Sequence, residues 1–286
     1  MHEATQSDPI DRLPPIREVI GRFGLNARKS LGQHFLLDLN LTRRIAREAG
    51  DLAEGTVIEV GPGPGGLTRA LLAEGAQHVV AIERDPRCAD ALSDLIAAAQ
   101  GRLTLIEADA TEVSLADLGP PPRRIVANLP YNVGTVLLVR WLREIEALSG
   151  MTLMFQKEVA DRIVSGPGSK SYGRLSVMSG WLCDTRIRFN LPARAFTPPP
   201  KVASSVVALI PKKEPLPAEW DAMETVTAAA FGQRRKMLRR ALRSLPVDAG
   251  QLLTESGLDP QARAEDLSVE QFVSLARSFA NLRATL

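Results

Sequence analysis

Short apolar runs alternate with amphipathic segments along this chain up to about residue 210. The runs predict β-strands, because they are rich in β-branched residues and are bounded by glycine, proline or charged residues. The segments between them repeat apolar residues at helical spacing. This alternation predicts an α/β fold built on a sheet of seven strands. The predicted strands are residues 56–60, 78–83, 103–109, 124–129, 151–155, 185–189 and 202–210.

A proline-rich linker at residues 211–217 separates this part from a remainder that we predict to be entirely helical. Proline ends helices and central strands because it lacks the N–H group. Beyond the linker, apolar residues recur only at helical spacing. We therefore predict a domain of residues 1–212 that holds the sheet and a small all-α domain of residues 213–286. The helices of the second are predicted at 218–231, 233–244, 249–256 and 268–283.

Composition and charge narrow the class of protein. Of 286 residues, 45% are hydrophobic and 24% charged, and the net charge is only +2, so any affinity for nucleic acid depends on where the cations cluster. Cys88 and Cys183 form no metal-binding pair, and the histidines His2, His34 and His78 are scattered, so we expect no metal site. We see no apolar leader and no apolar run of spanning length, and therefore expect a cytoplasmic protein without a membrane partner.

A glycine-rich loop follows the first predicted strand. Gly61, Gly63 and Gly66 satisfy the G-x-G-x-x-G pattern of dinucleotide-binding proteins, and Glu83 lies 22 residues after Gly61. A pyrophosphate is held by backbone N–H donors, however, and the two prolines inside the loop remove two of them. The loop therefore suits an uncharged or cationic ligand better. The acid Glu59, just before the loop, would attract a cation.

Acidic residues end the next two predicted strands. Glu83 ends the second strand, where a carboxylate can accept both hydroxyl groups of a ribose, and Asp109 ends the third, where it can accept from an adenine amino group. Taken alone, each acid is better explained as an ordinary solvated loop carboxylate. Because the carboxyl ends of parallel strands meet at one edge of the sheet, the glycine loop and both acids together indicate a ligand site there.

The fourth predicted strand ends in Asn128-Leu129-Pro130-Tyr131. Pro130 cannot continue a central ladder, so the chain turns and leaves an amide, a free carbonyl and an aromatic ring at the same edge. Two acceptors on the N–H bonds of an adenine amino group would favour a tetrahedral nitrogen with a free lone pair. Tyr131 can stack on the base that carries it. The alternative is an ordinary strand followed by a β-turn.

An aromatic residue and a basic segment are further candidates for contact with a nucleic acid. Phe196 precedes three prolines in a stiff, extended loop, and it can either close on a base or plug the edge of the sheet. The predicted helix at 233–244 carries six cations and no acid, and such a run repels itself unless it meets an anion, which favours a phosphate backbone. The cations are Arg234, Arg235, Lys236, Arg239, Arg240 and Arg243.

Five motifs in this order resemble the small-subunit ribosomal RNA adenine N6,N6-dimethyltransferases, which are class I S-adenosylmethionine-dependent methyltransferases. The resemblance extends from about Arg28 to Leu282. It implies a Rossmann-like sheet of seven strands, the last one antiparallel, with a small all-α C-terminal domain. The motifs are Leu-Gly-Gln-His-Phe-Leu at 31–36, Glu-Val-Gly-Pro-Gly at 59–63, Asn-Leu-Pro-Tyr at 128–131, Phe-Thr-Pro-Pro-Pro-Lys-Val at 196–202 and Phe-Gly-Gln-Arg-Arg-Lys at 231–236.

The resemblance implies an enzyme that dimethylates N6 of two adjacent adenines near the 3′ end of small-subunit rRNA. It would use S-adenosyl-L-methionine and act as a monomer on an immature subunit, with residues 1–212 for catalysis and 213–286 for docking. His34 stands where relatives often have Asn, and residues 237–242 are more basic than the family pattern. The implied catalytic residues are Asn128, Leu129, Pro130 and Tyr131; the cofactor-binding residues are His34, Leu36, Gly61, Gly63, Glu83, Asp109 and Asn128; the substrate-binding residues are Tyr131, Phe196, Arg234, Arg235, Lys236 and Arg239.

Two alternatives compete with this interpretation. The large-subunit rRNA adenine methyltransferases that confer antibiotic resistance share the glycine loop and a motif like Asn-x-Pro-Tyr, but the basic segment and the proline-rich loop favour the small-subunit family. A ribosome-assembly factor that retains the fold without catalysis is the second alternative. Intact Glu83, Asp109 and Asn128 argue against it.

Overall fold

The computed structural model describes residues 8–25 and 33–285. Residues 1–7, 26–32 and 286 lie outside it. The first two residues of the motif at 31–36, and Arg28 where the resemblance begins, are therefore outside the described residues.

Nine strands are present in the described part of the chain, and seven of them form one sheet. The strands are β1 Phe35–Leu36, β2 Thr56–Val60, β3 Val79–Glu83, β4 Leu103–Glu107, β5 Arg123–Asn128, β6 Gly150–Gln156, β7 Cys183–Leu191, β8 Phe196–Thr197 and β9 Ser204–Pro211. The order across the large sheet is β4-β3-β2-β5-β6-β9-β7. Strands β2 to β6 pair in parallel, and β9, the last strand in the chain, is antiparallel to β6. The predicted seven-stranded α/β sheet with an antiparallel last strand is confirmed.

The helices follow the predicted periodicity with two interruptions in the first half of the chain. Residues 86–98 form two short helices, and the helix that begins at Gly134 ends at Arg143 before a 3-10 turn. The helices are α1 Ile16–Arg22, α2 Leu39–Glu48, α3 Gly66–Ala73, α4 Pro86–Ala91, α5 Ser93–Ala98, α6 Gly134–Arg143, α7 Lys157–Val164, α8 Arg174–Leu182, α9 Trp220–Gly232, α10 Leu238–Ala241, α11 Ala249–Glu255 and α12 Val269–Ala284.

The chain forms two compact units. The first comprises Met1–Ala160 and Ile187–Leu209, and the second comprises Asp161–Arg186 and Ile210–Leu286. Compactness alone does not say which part catalyses and which part docks, so the functional division at residue 212 stays a prediction. No helix in the described ranges has both the length and the apolar character needed to cross a membrane.

Strands β2 and β3 are largely apolar in sequence and are covered on both faces in the first unit. Every residue of β2 and β3 is buried, which is typical of parallel strands between helices. This burial holds the backbone at the carboxyl ends of the strands in fixed register, so that Glu83 and Asn128 end neighbouring parts of one rigid edge.

Three neighbouring aromatic rings and a hydrogen bond organise the second unit. The ring of Phe231 stacks on Phe272 at 5.4 Å and meets Tyr172 edge-on at 5.8 Å. The Tyr172 hydroxyl donates to the Leu267 carbonyl at 2.9 Å, so the polar end of this buried ring is satisfied. Helices from both stretches of the unit therefore share one core.

The prediction of one helix at 233–244 is wrong. Helix α9 ends at Gly232, α10 holds only four residues, and a 3-10 turn follows. The Leu238 and Arg239 N–H groups donate to the carbonyls of Ala262 and Pro260, which ties the chain to another segment where the helix would have continued. Arg235, Arg239 and Arg243 therefore do not share the face of one helix.

Candidate active site

A cleft of about 150 Å³ opens at the carboxyl ends of the parallel strands. It is lined by residues from 33–36, 59–67, 82–85, 108–111 and 128–137. Every residue that the resemblance implies for cofactor binding lines it, as do all four residues of the Asn-Leu-Pro-Tyr motif. The structure thus brings together side chains that are separated by up to about 100 positions in the sequence.

The glycine loop uses its own N–H groups inside the protein. Gly61 and Gly65 donate to backbone carbonyls at 2.9 and 3.0 Å, and Gly63 donates to Glu83 Oε2 at 3.1 Å. The prolines between these glycines have no N–H to offer. Since a phosphate group is recognised at such loops by free backbone donors, residues 61–65 have few donors to offer one.

Gly63 has to be glycine for two reasons. Its φ of +54° lies in the left-handed region that residues with a Cβ rarely adopt. A Cβ at this position would also lie 3.1 Å from Cε1 of the buried Phe35 ring. A side chain at this position would therefore strain the backbone and would need the Phe35 ring to shift by a few tenths of an ångström.

Glu83 is fixed by three backbone donors. It is 7% exposed, and it accepts the N–H groups of Gly63, Arg84 and Asp85 at 3.1, 2.8 and 2.8 Å. Burial raises the pKa of this carboxyl, and the three hydrogen bonds oppose that rise. The carboxyl is thus held at the strand end in the one orientation that these bonds allow.

Asp109 ends the neighbouring strand in an ionised, well-anchored state. Its Oδ1 accepts from the N–H and the hydroxyl of Thr111 at 2.9 and 2.7 Å, and its Oδ2 lies 2.9 Å from the Arg84 guanidinium. The Thr111 hydrogen bonds and then the Arg84 charge lower the pKa of Asp109. Neither partner was predicted, although Asp followed two residues later by Thr is a known turn signal.

Glu59 is the least satisfied polar group of the cleft. The side chain is 1% exposed, and Oε2 has no hydrogen-bond partner among the described residues. Burial raises the pKa of Glu59 to about 8; the neighbouring Thr68 hydroxyl opposes this rise, and the charge of Glu83 adds a smaller contribution to it. A buried acceptor without a partner is costly, so this position suits a ligand that brings a donor or a positive charge.

The Asn-Leu-Pro-Tyr motif is braced from two sides. Asn128 Nδ2 donates to the His34 carbonyl at 3.1 Å. The Tyr131 hydroxyl lies 2.7 Å from Ser204 Oγ, and the Tyr131 ring lies 5.2 Å from the His34 ring. Burial raises the pKa of Tyr131, so the phenol stays neutral. Ser204 carries no sequence signal that would have identified it, because it is one of two serines at the start of an otherwise apolar strand.

Phe196 lies outside the cleft. It is 2% exposed and packs in the hydrophobic core of the first unit, where β8 pairs with β1 and places Phe196 opposite Leu36. Of the two possibilities left open by the sequence, this is the position of an aromatic plug. A ring buried in this way cannot stack on a base without leaving the core.

The predicted basic residues lie in the second unit and differ in their environment. Arg234 Nε is 2.7 Å from Glu265 Oε2, so this cation serves an internal ion pair. Arg235, Lys236 and Arg239 are exposed, and none lies within ion-pair distance of an acid in the part of the chain that the structure describes. Among the same residues, no group of three or more His, Cys, Asp or Glu side chains is arranged to hold a metal ion.

Comparison with known proteins identifies one family. The family model described as ribosomal RNA adenine dimethylase matches residues 24–281. The chain is 59% identical over 271 residues to the ribosomal RNA small subunit methyltransferase A of Rhodospirillum rubrum, covering 94% of each chain. It is 60% identical over 267 residues to the protein of the same name from Paramagnetospirillum magneticum, covering 93% of this chain and 95% of that one.

Solved structures agree on the fold. A dimethyladenosine transferase from Plasmodium falciparum superposes with a TM-score of 0.76 at 24% identity, covering 87% of this chain and 98% of that one. The 23S rRNA methyltransferase ErmE superposes with a TM-score of 0.64 at 28% identity, covering 86% and 99%. These superpositions confirm the predicted fold class, an α/β sheet in the arrangement of the methyltransferases.

Proposed function

This chain belongs to the ribosomal RNA adenine dimethylase family, and from that premise we propose that it dimethylates N6 of two adjacent adenines near the 3′ end of small-subunit rRNA. The observation that carries this proposal is the cleft in which Asn128, Tyr131, Glu83 and Asp109 meet. An acceptor and an aromatic ring for a target base lie there beside two carboxylates for a nucleoside ligand.

The methyl donor that we propose is S-adenosyl-L-methionine, and the residues present fit it. When bound, it supplies a methyl group activated by a sulfonium. Glu83 would accept from the ribose hydroxyls and Asp109 from the adenine amino group, while the unpartnered Oε2 of Glu59 would face the positively charged end. His34, Leu36, Gly61 and Gly63 would form the walls.

Asn128 and one backbone carbonyl would hold the amino group of the target adenine. Nδ2 of Asn128 is committed to His34, which leaves Oδ1 as an acceptor. The Pro130 carbonyl already accepts the N–H groups of Val133 and Gly134 at 3.2 and 3.1 Å, so we assign the second acceptor to Leu129. Tyr131 would stack on the base. Catalysis then comes from positioning and desolvation, and the proton released from N6 leaves through water.

The target is proposed to be rRNA in an immature small subunit, approached by a monomer in the cytoplasm. Residues 1–212 would catalyse and residues 213–286 would dock. The exposed cations Arg235, Lys236 and Arg239 would contact phosphates there, because unpaired surface cations gain most from releasing the counterions of RNA. Bases that react must be unpaired, which is how single-stranded RNA is usually recognised.

Modification of the large subunit is the second candidate, since the 23S rRNA methyltransferase ErmE is 28% identical. The deciding experiment offers purified unmethylated small subunits and large subunits to the enzyme with methyl-labelled S-adenosylmethionine. We expect label only in the small subunit, recovered as N6,N6-dimethyladenosine. Label in the large subunit, or in a base other than adenine, would overturn the proposal. The Asn128→Ala variant is the background control.

A further inference from the structure

His34 contacts three separate parts of the candidate site. Its ring nitrogen Nδ1 lies 2.7 Å from the Pro198 carbonyl oxygen, and its ring lies 5.2 Å from the Tyr131 ring at an angle of 32°. Its own carbonyl accepts from Asn128. The proline-rich loop, the aromatic ring for the base and the catalytic amide are thus joined at one residue of the cofactor segment.

The contact with the Pro198 carbonyl defines which ring nitrogen of His34 carries a hydrogen. A carbonyl oxygen can only accept, so Nδ1 of His34 carries the hydrogen and donates it. The bond to Asn128 is made by the backbone of His34 and does not depend on the side chain. Replacing the side chain therefore tests the link to the proline-rich loop while it leaves the link to Asn128 in place.

The imidazole contacts Pro198 at the position where strands β1 and β8 would otherwise continue their main-chain pairing. Strands β1 and β8 are antiparallel, with Leu36 opposite Phe196 and Phe35 opposite Thr197. The next pair outward in this register is His34 opposite Pro198. Proline has no N–H for that pair, so main-chain hydrogen bonding stops there. The ring of His34 makes a hydrogen bond to the Pro198 carbonyl instead. The connection between the two strands therefore extends one residue beyond the pair of Phe35 and Thr197.

We propose that His34 is a positioning residue that couples the cofactor segment to the proline-rich loop and Tyr131. A ligand that orders the segment 33–36 then orders the surroundings of the target base, and RNA that orders the base pocket favours the cofactor in return, because coupling between two sites is reciprocal. This inference rests on the proposed function, since it assigns one side of the link to cofactor and the other to RNA.

The test measures that coupling directly. The affinity of the full-length enzyme for unmethylated small subunits is determined with and without saturating S-adenosylhomocysteine, which cannot transfer a methyl group. In the unaltered enzyme we expect the ligand to tighten subunit binding about 5-fold or more, the lower end of typical coupling. Substitution of His34 should lower this factor to about 2-fold or less if the Nδ1 donor is removed.

Three variants separate the donor from the ring. His34→Phe keeps a ring beside Tyr131 without a donor, His34→Ala removes both, and His34→Asn places an amide N–H near the position of Nδ1. We expect coupling to be lost in His34→Phe and His34→Ala and restored in His34→Asn. His78→Ala, a histidine of the same unit outside the cleft, is the matched control and should keep the coupling.

A melting curve is recorded for each variant, and kcat and KM are determined separately, alongside the binding measurements. Loss of coupling at unchanged melting temperature, with KM for subunits raised, supports the link. Coupling in His34→Phe equal to that of the unaltered enzyme, loss of coupling in His34→Asn, or no coupling in the unaltered enzyme would each overturn it. Failure of the proposed function is recognised separately, because the unaltered enzyme would then not methylate adenine at all.

Discussion

Asn128 Nδ2 lies 3.1 Å from the His34 carbonyl oxygen, and this contact decides which end of the amide faces the cleft. A carbonyl accepts only N–H or O–H donors, so the nitrogen end of the amide turns towards His34. Oδ1 is the end left for a donor such as the amino group of a base. The side chain is thereby oriented before any substrate arrives.

Asn128→Ala should abolish methyl transfer and leave the fold intact. Removing one positioned hydrogen-bonding group in an active site typically costs about 2–3 kcal/mol of transition-state stabilisation or more, which is a loss of at least about 30-fold in kcat. Label transfer to small subunits measures the loss. Asn40→Ala, at an exposed helix start, serves as the matched control. Turnover of Asn128→Ala near that of the control would remove Asn128 from its assigned role.

Glu83→Ala should weaken the binding of S-adenosylmethionine by roughly 10- to 150-fold, because a charged hydrogen-bond acceptor is worth about 1.5–3 kcal/mol. It should also lower the melting temperature, since Gly63, Arg84 and Asp85 lose their acceptor. Calorimetric titration gives the affinity. Affinity for small subunits measured without cofactor is the internal control. An unchanged cofactor affinity would show that this carboxylate does not contact the ligand.

The raised pKa of Glu59 predicts that stability falls as pH rises. Between its ordinary value of 4.5 and about 8, the folded protein keeps a proton that the unfolded chain has released. The unfolded state then binds fewer protons, so the free energy of unfolding falls by about 1.4 kcal/mol per pH unit in this window. Glu59→Gln should lose this slope. Urea denaturation of both proteins at pH 5, 6, 7 and 8 measures it, and parallel profiles would contradict the prediction.

The exposed and the paired arginines should respond differently to substitution. Arg235→Ala with Arg239→Ala should weaken binding to small subunits and reduce the log–log salt slope by roughly one unit per lost phosphate contact, with the melting temperature unchanged. Arg234→Ala should instead cost stability, by about 1 kcal/mol or less for a half-exposed pair, because Glu265 loses its partner. A double variant that is less stable and keeps its salt slope would reverse this assignment.

The edge of the sheet was predictable because its signals are local. Glu83, Asp109 and Asn128 each end or closely follow a run of β-forming apolar residues, and parallel strands bring such ends together whatever the details of packing. The glycines and prolines of the loop are equally readable, since their backbone properties do not depend on their neighbours.

The backbone conformation of the basic segment and the burial of Phe196 were not predictable, because contacts with residues distant in sequence determine both. Arginine and leucine favour helix, yet the chain leaves helix α9 at Gly232 and starts a new short helix at Leu238, where the N–H groups of Leu238 and Arg239 donate to Ala262 and Pro260. The partner of Arg234 is Glu265, 31 residues away. Strands β1 and β8 have two residues each, too few for any periodicity to show. Tertiary contacts override local preference at each of these places.

The occupied N–H groups of the glycine loop bear on competition inside a cell. ATP and NAD carry the same adenosine as S-adenosylmethionine, so contacts to ribose and adenine cannot tell the three apart. If S-adenosylmethionine is the ligand, as proposed, rejection of the other two would come from the glycine loop, where the N–H groups of Gly61, Gly63 and Gly65 already donate inside the protein. A triphosphate or pyrophosphate entering there would lose its hydration and gain few hydrogen bonds in return. The loop would thus favour the proposed sulfonium nucleoside over phosphorylated ones.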